Sequence, residues 1–368
     1  MEIAHLTRRR FISALRLGAV LPAASLVSGC GVFEAFFRNC PENLTTGGVD
    51  WIPDVLHPVF YGYNELATAG GAPGPVRIWY PSYDGTPADA PILPSCVARW
   101  PLVLFLHGQP PCSQLSDYYL HWEAIPRILA RSGYVVVQPS YSATIPAALA
   151  ADAWPLTLMD WVRSGWQHAR WVDPRPQGTA VVGHSYGALL GARVVDARPQ
   201  ISSFVSLGGP WAELDREVGP VLRGLHSASF FMSTPTDDIR AGGLWNLVAP
   251  PKYHGFYSGE HFDYIPDEPN CDELRGDCPL ISIIAADLVA LFITRYTRVP
   301  LARARIPANL DPPPVALSSS EETFSGGQIS GSTRRLSGLT SFDSDIRCHI
   351  DLTWNLGGGD VSRRIGRT

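Results

Sequence analysis

Thr179-Ala180-Val181-Val182-Gly183-His184-Ser185-Tyr186-Gly187-Ala188-Leu189-Leu190 is the stretch whose reading decides the fold of this chain. Thr179 to Val182 is a short apolar run of the kind that forms a buried strand. Tyr186 to Ala197 reads as a helix. Between them Gly183, Ser185 and Gly187 form a Gly-x-Ser-x-Gly pattern, the signature of a sharp strand-to-helix turn. Side chains at the two glycine positions would collide with neighbouring elements. The turn exposes the Ser185 hydroxyl at the N-terminus of the following helix, where the helix dipole favours negative charge.

The same alternation extends outward in both directions. Val76 to Tyr80, Leu102 to Leu106, Tyr134 to Val137, Phe204 to Leu207, Ser229 to Met232 and Tyr253 to Tyr257 read as further strands. Several are uninterrupted apolar runs, as in strands buried on both faces of a parallel sheet. Trp122 to Arg131, Leu156 to Trp171 and Ile281 to Tyr296 read as helices, with Gly133 placed as a C-cap glycine. This pattern predicts an α/β fold: a mostly parallel, twisted sheet with helices on both faces and ligands at the carboxyl ends of the strands.

Hydrophobic residues are 45% of the 368 and charged residues 17%, enough apolar material for a large core. The net charge of −5 provides no basic footprint for nucleic acid. The organisation expected is an export signal over 1–29, a catalytic domain over 30–300, and a Pro/Ser-rich linker with a docked extension over 301–368. In that extension Ile346, Cys348, Ile350, Leu352 and Trp354 alternate with Arg347, His349, Asp351 and Thr353. The period of two predicts a C-terminal strand with Cys348 on its inner face and Thr353 on its outer one.

Thr7-Arg8-Arg9-Arg10-Phe11-Ile12 resembles a twin-arginine export signal, and Val27-Ser28-Gly29-Cys30 resembles the lipobox of bacterial lipoproteins. The expectation is export across the bacterial cytoplasmic membrane and anchoring to a membrane surface through a lipid on Cys30; plain secretion is the alternative. Cys40, Cys96, Cys112, Cys271, Cys278 and Cys348 remain, an even number suited to disulfides in an oxidising compartment. Cys271 and Cys278 flank a short polar loop and are the easiest pair to close; the other pairings stay open. No spacing of ligands suggests a metal.

A serine hydroxyl needs a base, and the base needs an orienting acid. For a Ser on this kind of turn the acid and then the His follow in chain order. The acid belongs at the end of the Ser229 to Met232 strand, at Asp237 or, as the alternative, Asp238. His261, in the polar turn Gly259-Glu260-His261-Phe262, suits a base carried on a loop. His254 and His349 fall within strands and read as structural, and His226 precedes the acid. Two backbone N–H donors are expected to hold an oxyanion, one from Tyr186 and one from Gln109 in the His107-Gly108-Gln109-Pro110 loop. His107 itself reads as a buried structural residue.

Trp79-Tyr80-Pro81, Leu104-Phe105-Leu106-His107-Gly108, Gly183-His184-Ser185-Tyr186-Gly187 and His261-Phe262 together resemble the α/β-hydrolase superfamily. The branches they are most similar to are the group of platelet-activating-factor acetylhydrolase, chlorophyllase and dienelactone hydrolase, and the bacterial cutinases. The resemblance runs from about residue 76 to about residue 298. It implies a serine ester hydrolase that uses no cofactor and acts on a small-molecule, lipid or polyester ester. It also implies a substrate contact for Trp211, which follows Gly208-Gly209-Pro210 where cutinases carry such a Trp. The same triad would serve an acyltransferase or a peptidase, and the same fold could serve as a non-catalytic surface adhesion module.

Overall fold

Five consecutive apolar residues, Leu102-Val103-Leu104-Phe105-Leu106, form a strand with no solvent-exposed face, and this strand lies near the middle of the sheet. In a computed structural model, the described residues are 60–82, 87–93, 99–109, 118–142, 153–211, 215–257, 259–265, 281–297, 349–355 and 360–366. The expected export signal over 1–29, the seven cysteines, Pro110 and the Pro/Ser-rich stretch lie outside them.

The described strands are β1 (Phe60–Leu66), β2 (Val76–Ser82), β3 (Leu102–Leu106), β4 (Val135–Pro139), β5 (Thr179–His184), β6 (Ser203–Leu207), β7 (Ala228–Ser233), β8 (Lys252–Tyr257), β9 (His349–Asn355) and β10 (Asp360–Gly366). They form one sheet in the order β1-β2-β4-β3-β5-β6-β7-β8-β9-β10. The pairings from β4 through β8 are parallel, whereas β1, β2, β9 and β10 pair antiparallel. The fold is therefore of the α/β type, with a mostly parallel centre.

Strand periodicity sorts the core into two layers. Leu102, Leu104, Leu106, Val135, Val137 and Val181 face one way, against helices α2 (Trp154–Ser164), α3 (Tyr186–Ala197) and α4 (Asp215–Arg223). Val103, Phe105, Val136, Val182 and Val205 face the other way, against α1 (Ala124–Arg131) and α5 (Ile281–Thr297). Removing a ring such as that of the fully buried Phe105 would cost about 3–5 kcal/mol. Helix α1 ends at Gly133, whose φ of 88° and N–H bond to Ala130 O close the turn that the sequence predicts there.

Several features differ from the sequence expectation, which did not include α4 or β10. β1 was not foreseen, because its buried positions are Gly62 and Asn64 rather than apolar residues. The predicted helix Leu156 to Trp171 stops at Ser164; Gly165 caps it, and a separate 3-10 turn covers Ala169–Trp171. Thr353, expected on an outer face, is buried opposite His254. The reason is that β8, to which β9 pairs, is covered on both sides.

Candidate active site

The carboxyl ends of five neighbouring parallel strands carry the candidate residues. β3 leads to His107 and Gly108, β5 to Ser185, β6 to Gly208, β7 to Asp237 and β8 to His261. This is where an open parallel sheet places its ligand crevice.

Ser185 has φ 53° and ψ −127°, a conformation that a residue with a side chain rarely adopts. It costs about 1–3 kcal/mol and persists only where the surroundings impose it. Here they do. The Ser185 N–H bonds Leu207 O at 3.0 Å, and its own carbonyl accepts from Ala188 N at 2.9 Å at the start of α3. A side chain at Gly183 would strike the Gly187 carbonyl, and one at Gly187 would strike the His107 and Leu106 carbonyls. The first turn of α3, which begins at Tyr186, directs its N–H groups toward the elbow.

His261 Nδ1 lies 2.8 Å from Asp237 Oδ2, and Asp237 is buried while His261 is partly open to solvent. A carboxylate only accepts, so Nδ1 carries a proton, and the neutral tautomer this selects has its lone pair on Nε2. The other oxygen of Asp237 accepts the Thr234 N–H at 2.6 Å, which aims the carboxylate. Gly208, at φ 54°, lies next to this pair; a methyl group there would stand 2.8 Å from Asp237 Oδ2 and 3.0 Å from His261 Nδ1. Ser185 Oγ and His261 Nε2 share no hydrogen bond in this structure. Such a bond commonly tightens only when substrate binds.

Asp238, the alternative acid, points elsewhere. It pairs with Arg240 at 2.8 Å and lies 3.2 Å from Nε2 of the buried His254, off the line of a hydrogen bond. Although burial opposes ionisation, His254 and Arg240 hold its carboxyl well below the usual carboxylate range.

Gly108 presses against the turn that carries Ser185: a side chain there would lie 2.6 Å from His184 Nδ1 and 2.7 Å from Ser185 Cβ. Gln109 follows it and is exposed. His107 is buried, as expected. Its Nδ1–H donates to Gly108 O at 2.8 Å, and Tyr141 stacks on its ring at 4.3 Å while donating its hydroxyl to His107 O at 2.6 Å. Burial pushes the His107 imidazole down to about 4 despite the bond to Gly108.

Trp211 requires a correction. It is fully buried, its indole N–H donates to Ser206 Oγ at 3.0 Å, and its ring packs on Phe231 at 5.8 Å. It offers no face to a substrate, because the chain past Gly208 folds it back into the layer beneath β6. Sequence reasoning also missed Gly208 and Tyr141 as site residues. The Gly-Gly pair at 208–209 was a legible sign of a positive φ; nothing local distinguished Tyr141.

No protein-family model and no curated protein matches this chain.

Proposed function

We propose that this chain has the α/β-hydrolase fold and hydrolyses carboxylic esters through Ser185, His261 and Asp237. The observation that carries the reading is the 2.8 Å pairing of His261 Nδ1 with buried Asp237, at the carboxyl ends of β8 and β7, on the same sheet edge as the β5 end that carries a serine held at positive φ on a Gly-x-Ser-x-Gly turn. An ordinary surface serine has no reason to be strained, and an ordinary histidine has no reason to be oriented so that Nε2 is left as an acceptor.

In the proposed reaction Ser185 Oγ attacks the ester carbonyl as His261 Nε2 takes its proton. Asp237 stabilises the resulting imidazolium and fixes its tautomer. The carbonyl oxygen becomes an oxyanion, held by the N–H groups of Tyr186 and Gln109. Collapse expels the alcohol, which leaves with the proton from His261. Water then attacks the acyl-serine by the same route in reverse, releasing the acid.

A panel of p-nitrophenyl esters of rising chain length tests this, run on the wild type and on Ser185→Ala, alongside labelling with a fluorophosphonate. Hydrolysis and labelling that both vanish in Ser185→Ala support the reading. Activity that survives the substitution would exclude it.

A further inference from the structure

His184 plays no part in the chemistry derived above, yet it adjoins Ser185, His261 and Gly108. It closes β5 immediately before Ser185 and is fully buried. Its Nε2 lies 3.0 Å from the main-chain carbonyl of His261. A carbonyl only accepts, so Nε2 carries the proton and donates. Its Nδ1 faces Gly108 and has no hydrogen-bond partner among the described residues. The ring lies 4.4 Å from Trp122 and 4.6 Å from the His261 ring, with Phe262 at 5.9 Å and Tyr264 at 5.7 Å.

We propose that His184 is a positioning residue for the base, its Nε2–H bond to His261 O locking the base-bearing turn in register with the elbow. The proposal rests on the reading of Ser185 and His261 as nucleophile and base. Asp237 sets how the His261 ring rotates, and Tyr257 at the end of β8 donates its hydroxyl to Glu260 O at 2.8 Å, but neither bond joins the backbone of that turn to β5. The His184 bond restrains the backbone itself, and it springs from the residue covalently joined to the nucleophile. The separation of base and nucleophile is thereby tied to one hydrogen bond in a dry aromatic pocket, where such a bond is strong. Burial, and after it the neighbouring His261, holds the His184 imidazole far below the ordinary histidine range, so it stays neutral beside a base that becomes cationic during turnover.

The test exploits the reach of the two ring nitrogens. Glutamine can place an amide N–H where Nε2 stands, asparagine reaches only as far as Nδ1, and phenylalanine fills the volume without a donor. The readouts are kcat and KM on p-nitrophenyl acetate, thermal unfolding, and the downfield N–H proton of His261 in protein labelled with ¹⁵N-histidine. His184→Phe and His184→Asn are expected to lose about 100-fold in kcat with KM little changed, the scale of a misplacement near 1 Å. Their His261 proton signal should shift or broaden, whereas His184→Gln should recover most of the activity and the signal. Should the Phe variant fail to fold, the contrast between Gln and Asn decides. Asn and Phe variants with wild-type kcat would overturn the proposal, as would a folded Gln variant as impaired as they are. If the wild type hydrolyses no ester and takes no fluorophosphonate label, the proposed activity falls, and the proton signal alone judges the link. Movement in Asn and Phe but not Gln upholds it; no movement in any variant refutes it.

Discussion

Gly208 lies against His261: a single added methyl group would stand 3.0 Å from its Nδ1, the atom that carries the proton shared with Asp237. At φ 54° the backbone there also disfavours any side chain. Gly208→Ala should therefore cost about 1–2 kcal/mol of stability and should push the base away from its acid. Ester hydrolysis is expected to fall by about 10- to 100-fold, with the change in kcat rather than KM. Chemical denaturation and steady-state kinetics on the same preparation measure both effects.

The strain at Ser185 predicts a conflict between stability and activity. Ser185→Gly removes the side chain that makes φ 53° costly and should stabilise the fold by about 1 kcal/mol while abolishing turnover. Ser185→Ala should abolish turnover with no such gain, because alanine keeps the Cβ. A urea denaturation midpoint that is the same for both variants would contradict the strain.

The two neighbouring aspartates should separate cleanly. In Asp237→Asn the amide oxygen stays with the Thr234 N–H and the NH2 turns toward His261, which imposes the wrong imidazole tautomer and should lower kcat by about 10³- to 10⁴-fold. Asp238→Asn should keep kcat within about tenfold but lose about 1–3 kcal/mol of stability, because Arg240 and His254 lose their charged partner. The roles would be reversed if Asp238→Asn were the variant that loses activity and keeps its stability.

Acid should weaken this fold through its buried histidines. His107 is held at about 4 by burial, and His184 is held far below the ordinary range. In the unfolded chain both take up protons through about pH 6.5, so between about 4 and 6.5 the unfolded state binds more protons than the folded one. Stability is thus complete above about 6.5 and declines as pH falls toward 4, with His107 alone accounting for about 3 kcal/mol. The depressed Asp238 carboxyl adds its own loss only below about 4, where the unfolded aspartate protonates. Denaturation midpoints across this window, with His107→Gln as the control that flattens the slope, measure the effect.

The parallel centre of the fold was legible because β3, β5, β6 and β7 are buried on both faces, so β3 reads as an unbroken apolar run and the others as mostly apolar ones. β1 was not, because glycine and asparagine occupy its inner positions and hydrophobic alternation vanishes. The pairing of His261 with Asp237 followed from chain order and turn chemistry. Which of two adjacent aspartates faces the histidine depends on the Thr234 N–H and on Arg240, relationships that only the folded backbone creates. Trp211 misled because a resemblance in position carries no information on which way a side chain turns.

β8, the strand that delivers His261, is flanked on its outer side by β9, with His254 opposite Thr353. Those partners are separated by about 100 residues of chain, so this pairing closes late and raises the contact order of the sheet. Until β9 arrives, β8 is an open edge with a row of unpaired main-chain groups, a ready template for another chain. A product cut short before His349 would retain the elbow, the acid and the base, yet carry that bare edge. Its failure would appear as self-association, with the catalytic residues still in the chain.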